Sequence, residues 1–513
     1  MVLVRGDAAE TSPPALNPNR HVVIVVWDGM RPDMVSVRNT PVLMKLAEQG
    51  VTFANHHSVY LSATHVNATA IETGMYPQNS GLIANYDYRP EIEAKKFVST
   101  EQENVIAKGD ELSHGKYLAV PTLSELIRQR SGRTVVAAAK TVGFLLDRQP
   151  DHAAADRAST ISAGESLPAK AGEAIERDGG AFPGYPMYSH AQRDAWTTNG
   201  LIETLWKDGV PAFSTLWLGE PDLTQHETAP GSPAALAAIK SSDANLGLVL
   251  QALERKGVRD QTDVFVVSDH GFSTIEHPND VEKFLREGGL DATVEIKEKL
   301  KPGQILLVGN GGAVLFYVTG HDAGVIDRLV DRLQHSNFAG VMMTKKEKPG
   351  TFPLAKAMID TPHGPDVVMA FRWTAEPNKY GVPGLIEADW NRQSEKGTHA
   401  TLSHFDMHNT LFAAGPDFRQ GITDDFPTGN VDLAPTIAKI LGLEPPPKMD
   451  GRILAEAMKT TEIMATPKPA EDTVEATRDF PDGTWRQYLR VLTVGSTSYL
   501  DEGNGGFTRK LEK

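Results

Sequence analysis

Short, unbroken apolar runs recur along the chain, separated by stretches with helical periodicity. "HVVIVVW" (21–27), "TVVAAAK" (134–140), "AFSTLWL" (212–218) and "DVFVVS" (263–268) show no polar alternation. That pattern predicts strands buried on both faces. "NTLFAAG" (409–415) adds a later strand. Helical signals lie between the runs. "NTPVLMKLAEQG" (39–50) has Thr40 placed as N-cap, Pro41 at the first helical position and Gly50 as a stop. Residues 232–257 predict a long helix closed by Gly257, and 430–442 a shorter one with Asp432 as cap. Strands of this kind alternating with helices predict an α/β fold, a mostly parallel central sheet flanked by helices. Ligands bind such sheets beyond the carboxyl ends of the strands. Asp28, Asp222 and Asp269 all fall there.

Three stretches fit this rhythm poorly. Residues 145–200, rich in Ala, Asp, Gly and Pro, predict a loop-rich insertion. Residues 276–396 carry their own strand and helix signals and predict an inserted cap subdomain. Residues 458–484 predict a linker, followed by a short tail with a hairpin around "LDEGNGG". The resulting division is a flexible arm over 1–20, the catalytic domain in two parts (21–275 and 397–457), the cap over 276–396 between them, and linker and tail over 458–513. The opening twenty residues are polar and Pro-rich. They fit either a native arm or a mature N-terminus left by a removed signal peptide.

Composition narrows the chemistry. The formal charge of -15 over 513 residues argues against a nucleic-acid polymer as partner, because such binding needs basic surfaces. No apolar run approaches the roughly 20 residues that span a bilayer. With no cysteine, any metal site must use His, Asp and Glu.

Three stretches supply those residues, and a fourth supplies a hydroxyl. In "DLTQH" the i, i+4 pair Asp222 and His226 lies on one side of a helical turn, so both side chains can reach one cation. "SDHGF" places Asp269 and His270 at a strand end. As neighbours in extended backbone they point apart, but on a loop they can serve different ions or one; a polar turn is the plain alternative. "GTHATLSH" adds His399 and His404, either of which could be a surface histidine. In "YLSATHVNATAIETGMYP" a helix is expected from His65 to Thr73, ended by Gly74, with Thr64 at its N-terminus. Free N–H groups and the helix dipole favour a phosphate there, although Ser62 or Thr64 could serve only as a cap.

Taken in order, "WDGMRPD", "ATHVNATAIETGMYPQNSG", "EPDLTQH", "VVSDHGF", "GTHATLSH" and "FAAGPDF" resemble the alkaline-phosphatase superfamily, in its type I phosphodiesterase/nucleotide pyrophosphatase branch. The resemblance covers about residues 20–85, 200–275 and 397–457. It implies an alkaline-phosphatase-like sheet and two divalent metal ions, zinc being the family's usual metal. Asp28, Asp269 and His270 would hold one ion with Thr64 as nucleophile, and Asp222, His226 and His399 the other. Asn67 matches the family's asparagine for the non-bridging phosphate oxygens. A phosphothreonine intermediate on Thr64, hydrolysed by water, follows from the same scheme, as does a small phosphoester substrate. A periplasmic or secreted location is the family expectation. Three positions depart from the family pattern. His65 follows the nucleophile where an aromatic residue often stands, Ala400 replaces the glycine of "GTHG", and Ser80 replaces the histidine of "YP..HG". None removes a ligand. A phosphomonoesterase or phosphonate hydrolase would share these ligands but needs further cationic groups, for which Arg31, Arg89, Lys95 and Lys96 are available. A non-catalytic module retaining the fold is the remaining reading, opposed by the completeness of the ligand set.

Overall fold

A computed structural model describes residues 16–149, 157–187, 189–443, 448–459 and 467–510. Its largest sheet has nine strands among these residues. The strands His21–Trp27, Thr262–Val267, Phe213–Leu218, Thr134–Ala138 and Ala158–Ser162 run parallel at its centre. Leu411–Ala414 pairs antiparallel to Thr262–Val267 and extends the sheet toward Val51–Phe53 and Ile422–Asp424. Alternate residues of the first strand feed two cores. Val22, Ile24 and Val26 pack on one face. Val23, Val25 and Trp27 face Ile239, Leu246, Val249 and Leu253 of the long helix Pro233–Arg255. Burial on both faces is the reason these runs show no polar alternation.

The helix signals hold with local changes. Pro41–Glu48 starts after Thr40, whose hydroxyl bonds back to the Ser36 carbonyl rather than capping forward. Ser232 caps Pro233–Arg255 at Ala235 N. Asp432 does not cap the helix Leu433–Ile440. Its carboxylate accepts from Gly429 N, Arg452 N and the Tyr499 hydroxyl instead.

Two stretches are more ordered than the sequence predicts. Within 145–200, Ala158–Ser162 and Glu165–Leu167 join the main sheet, and Ala169–Gly179 and His190–Asn199 are helices. At the C-terminal end, Ala470–Phe480, Gly483–Val494 and Thr497–Arg509 form a three-stranded antiparallel sheet. The supposed linker therefore contains a strand, and "LDEGNGG" lies inside the last strand rather than at a hairpin tip. Gly505 serves close approach: a Cβ there would sit 2.0 Å from the Gly340 carbonyl oxygen. Residues 276–396 include all of a six-stranded sheet, Ala292–Thr293 through Val367–Phe371. Among the described residues no helix is long and apolar enough to cross a membrane.

Candidate active site

Because the five central strands are parallel, their carboxyl ends meet at one edge, and the residues just past those ends converge there. Asp28 follows His21–Trp27, Lys140 follows Thr134–Ala138, Asp222 opens the helix Asp222–Thr228 after Phe213–Leu218, and Asp269 and His270 follow Thr262–Val267. Gly29, at φ +70°, turns the chain so that its N–H donates to Asp269 Oδ1 at 3.0 Å. Across from them, the helix Thr64–Thr73 presents Thr64 as its first residue and ends at Gly74, φ +67°.

Seven of the eight residues singled out in the sequence come together. His270 Nε2 lies 3.2 Å from Asp269 Oδ2, 3.7 Å from Asp28 Oδ1 and 3.3 Å from the Thr64 hydroxyl. Asp222 Oδ1 lies 3.3 Å from His226 Nε2 and 3.7 Å from His399 Nε2. The His270 and His399 rings stack at 3.7 Å and join the two groups. Each imidazole is oriented the same way: Nδ1 donates to a backbone carbonyl, Gly397 for His226, Gly271 for His270 and Ser62 for His399. A carbonyl can only accept, so Nδ1 keeps the proton and Nε2 presents a lone pair toward the carboxylates.

This arrangement fits divalent metal ions. Asp28 Oδ1, Asp222 Oδ1 and Asp269 Oδ2 are buried and have no hydrogen-bond partner among the described residues. Unpaired carboxylate oxygens facing imidazole lone pairs are costly unless a cation lies between them. Donor atoms around a tetrahedral zinc stand about 3.2–3.5 Å apart, given bonds of about 2.0–2.1 Å, close to the separations above. Asp28, Asp269 and His270 form one candidate group, and Asp222, His270 and His399 another. Burial, and then the charge of Asp269, push the Asp28 carboxyl well above its ordinary range. Burial opposes ionisation of Asp222 too, but Lys140 and His226 outweigh it and hold that group well down. Burial and the neighbouring His270 keep His399 neutral, as a ligand must be.

Asn67 is not part of this edge. Its Oδ1 accepts from Val59 N and Asn430 Nδ2, and its Nδ2 donates to the Val59, Leu61 and Ala63 carbonyls. With every donor and acceptor engaged in tying the 59–63 segment to its helix, it has none left for a phosphate. Asn85 lies at the helix N-terminus instead: its Oδ1 accepts from His65 N at 2.9 Å, and its Nδ2 has no partner among the described residues. Nothing local in "LIANYDY" marks that asparagine.

Lys140 is the second residue the sequence did not single out. Its Nζ lies 2.9 Å from Asp28 Oδ2 and 2.9 Å from Asp222 Oδ2, so it binds the outer oxygens of one carboxylate from each group. Trp217 Nε1 also donates to Asp28 Oδ2, at 2.7 Å. The cations considered from sequence are occupied elsewhere. Arg31 binds Asp33 and the Phe272 and Pro383 carbonyls, Arg89 binds Asp87 and Gly81 O, and Lys95 and Lys96 are exposed. His404 lies away from this edge, beside Glu502. Ser62 donates its hydroxyl to the Thr401 carbonyl. His65 is locked between the Thr100 hydroxyl and Glu101. Ala400 sits at φ +83°, a left-handed conformation that costs a residue with a Cβ.

The fold and the donor set thus define an α/β protein with a candidate two-ion centre facing a hydroxyl at a helix N-terminus. The chain belongs to the type I phosphodiesterase/nucleotide pyrophosphatase family, whose sequence model matches residues 22–394. Bis(5'-adenosyl)-triphosphatase enpp4 of Xenopus laevis is 21% identical over 448 residues, 85% of this chain and 80% of the relative. Human ectonucleotide pyrophosphatase/phosphodiesterase family member 5 is 22% identical over 441 residues, 84% and 76% of the two chains. The fold is similar to that of mouse ectonucleotide pyrophosphatase/phosphodiesterase 5, solved as an inactive variant with AMP, with TM-score 0.58 and 18% identity over 86% of this chain and all of that one. The fold is alkaline-phosphatase-like, and the chain is a phosphodiesterase/nucleotide pyrophosphatase-type hydrolase.

Proposed function

We propose that the protein hydrolyses phosphodiester or pyrophosphate bonds of small phosphoesters through a phosphothreonine intermediate on Thr64. The observation that carries this reading is the set of three partnerless carboxylate oxygens facing imidazole Nε2 atoms beside the Thr64 hydroxyl. Two divalent ions, zinc by donor chemistry, would be held by Asp28, Asp269, His270 and Thr64 and by Asp222, His226 and His399, supplying Lewis-acid stabilisation of charge on oxygen. The chain's own residues do the rest. The helix N-terminus and Asn85 Nδ2 orient the phosphoryl oxygens. Thr64 Oγ1 attacks phosphorus in line as the leaving group departs on the opposite side. Water then cleaves the Thr64–phosphate bond and regenerates the hydroxyl. With His65 held by Thr100 and Glu101, a stacking platform for a nucleobase has to come from elsewhere, so the leaving group is left open.

A second reading, phosphomonoester hydrolysis, draws support from Lys140, an ammonium within this site that could offset the extra charge of a monoester. The test is metal content together with turnover of bis-p-nitrophenyl phosphate and p-nitrophenyl phosphate in one preparation. Two zinc ions at this edge and a strong diester preference are expected; a monoester preference would shift the assignment to the second reading. Thr64→Ala should keep fold and metal content and abolish turnover. Hydrolysis persisting in that variant would refute the covalent intermediate.

A further inference from the structure

A second set of metal-ligating side chains lies apart from the strand-end centre, where the C-terminal sheet meets the catalytic body. His57 ends the two-residue strand His56–His57, His408 follows the turn His404–Met407, and Asp501 lies in the last strand, Thr497–Arg509. We infer that His57, His408 and Asp501 bind a further divalent metal ion of the zinc class, which clips the C-terminal sheet to the catalytic body.

The geometry of His57 carries the inference. Its Nδ1 lies 2.9 Å from the Thr428 carbonyl oxygen, which can only accept, so Nδ1 holds the proton. With one proton on the ring, the Nε2 lone pair then faces Asp501 Oδ1 at 3.2 Å. Two lone-pair atoms do not rest against each other in a buried place without a metal ion or a proton between them. The same orientation, Nδ1 on a backbone carbonyl and Nε2 toward a carboxylate, marks His226, His270 and His399 at the strand-end centre. His408 Nε2 reaches the same Asp501 oxygen at 2.8 Å, and the donor atoms of all three residues lie within 4.8 Å of one another. A zinc ion would need the closer pair to open by about half an ångström, a small rotation of His408, whose side chain is 12% exposed.

The surroundings suit a cation. Arg490 holds the other oxygen of Asp501 at 3.3 Å and so orients the carboxylate. Glu502 lies alongside, 3.8 Å from His404 Nδ1, and His404, Asp501 and Glu502 form an overlapping group within the same reach. Either His404 or Glu502 can complete the coordination. Two carboxylates against one guanidinium leave a net negative charge for a divalent ion to offset. The clip also bears on the loop that presents His399. Asp406, two residues before His408, accepts from Thr401 N at 3.0 Å and from the Thr401 hydroxyl at 2.6 Å, and so holds the segment just past His399.

The test is zinc stoichiometry on the full chain, stripped with a chelator, reloaded and desalted, measured by mass spectrometry. Wild type should hold three zinc ions per chain, and His57→Gln and Asp501→Asn one fewer each. An Asp28→Asn/Asp222→Asn double variant should retain the clip ion and lose it when Asp501→Asn is added. A wild-type count of two, or a third ion that persists in both His57→Gln and Asp501→Asn, overturns the inference. A count of two with His57 found protonated by NMR would mean that a proton, not a metal, occupies the gap. Failure of the strand-end assignment is separately visible as a double variant whose count equals that of wild type. If Asp501→Asn does not fold, zinc should still raise the melting temperature of the double variant; no rise would also overturn the clip.

Discussion

Replacing Lys140 by Met removes the ammonium shared by Asp28 and Asp222 while keeping most of the side-chain volume. With Asp28, Asp222 and Asp269 all ionised and no ions bound, the strand-end site carries a net charge of -2 against Lys140, and the substitution makes it -3. Breaking a buried ion pair from one side costs about 3–5 kcal/mol, because the remaining charge is left uncompensated. Two divalent ions reverse the balance: four positive charges then face the three carboxylates, and Lys140 is no longer needed as a counter-charge. The penalty therefore falls mainly on the metal-free form. If half of it is offset by the ions, linkage tightens their binding by about 2 kcal/mol, or roughly 30-fold. Urea unfolding of wild type and Lys140→Met, each chelated and zinc-reconstituted, reads the stability difference, and competition with a chromophoric chelator reads the affinity. Equal destabilisation of both forms, or weaker zinc binding by the variant, would refute this reasoning and make Lys140 a group that orients the carboxylates.

Asn85→Ala is expected to lower kcat/KM by about 10²–10³-fold, the usual cost of one oxyanion donor, with a stability loss of only about 1 kcal/mol for the missing bond to His65 N. Asn67→Ala should act mainly on stability: it strands the Val59 N–H and the Val59 carbonyl, and a loss of about 2 kcal/mol or more by urea unfolding is the expected result. Swapped outcomes would restore Asn67 to the phosphate. Glu72 is pushed up to about 8 by burial, and secondarily by Asp147, from an ordinary 4.5. The folded state therefore binds its proton more tightly than the unfolded chain does. Its contribution is full below about pH 4.5 and disappears as the pH rises through 8. Glu72→Gln should flatten the fall in stability between pH 5 and 9, and an unaltered pH profile would contradict the assignment. Ala400→Gly should stabilise the protein by up to about 1 kcal/mol in the same unfolding assay, by relieving the left-handed strain at φ +83°.

The parts of the site that could be read from sequence are those written as contiguous words. Asp222 and His226 share a helical turn, and Asp269 and His270 sit side by side, so their spacing is itself a signal. Asn85 and Lys140 are single polar residues at strand or loop ends, positioned by partners 20 and 82 residues away, His65 and Asp222. No local pattern announces such a residue. Asn67 misleads for the opposite reason: it lies three residues from Thr64, yet its amide points back into the preceding loop. The central strands were legible because both faces are buried. Ala470–Phe480 was not, since it is an edge strand largely open to solvent whose polar residues read as a linker.

The candidate ligands run from Asp28 to His399, a span of 371 residues that the parallel sheet gathers at one edge. During synthesis at about 5–20 residues per second, His399 is made roughly 20–75 s after Asp28. Through that interval the first carboxylate has neither its distant imidazole partners nor the full set of strands that will enclose it. A nascent chain released before His399 would carry the nucleophile helix and most of the ligands yet lack a complete second ion site. Full metal loading of the proposed centre would thus require the chain through His399, and products truncated before it should be recognisable by their deficit of bound metal.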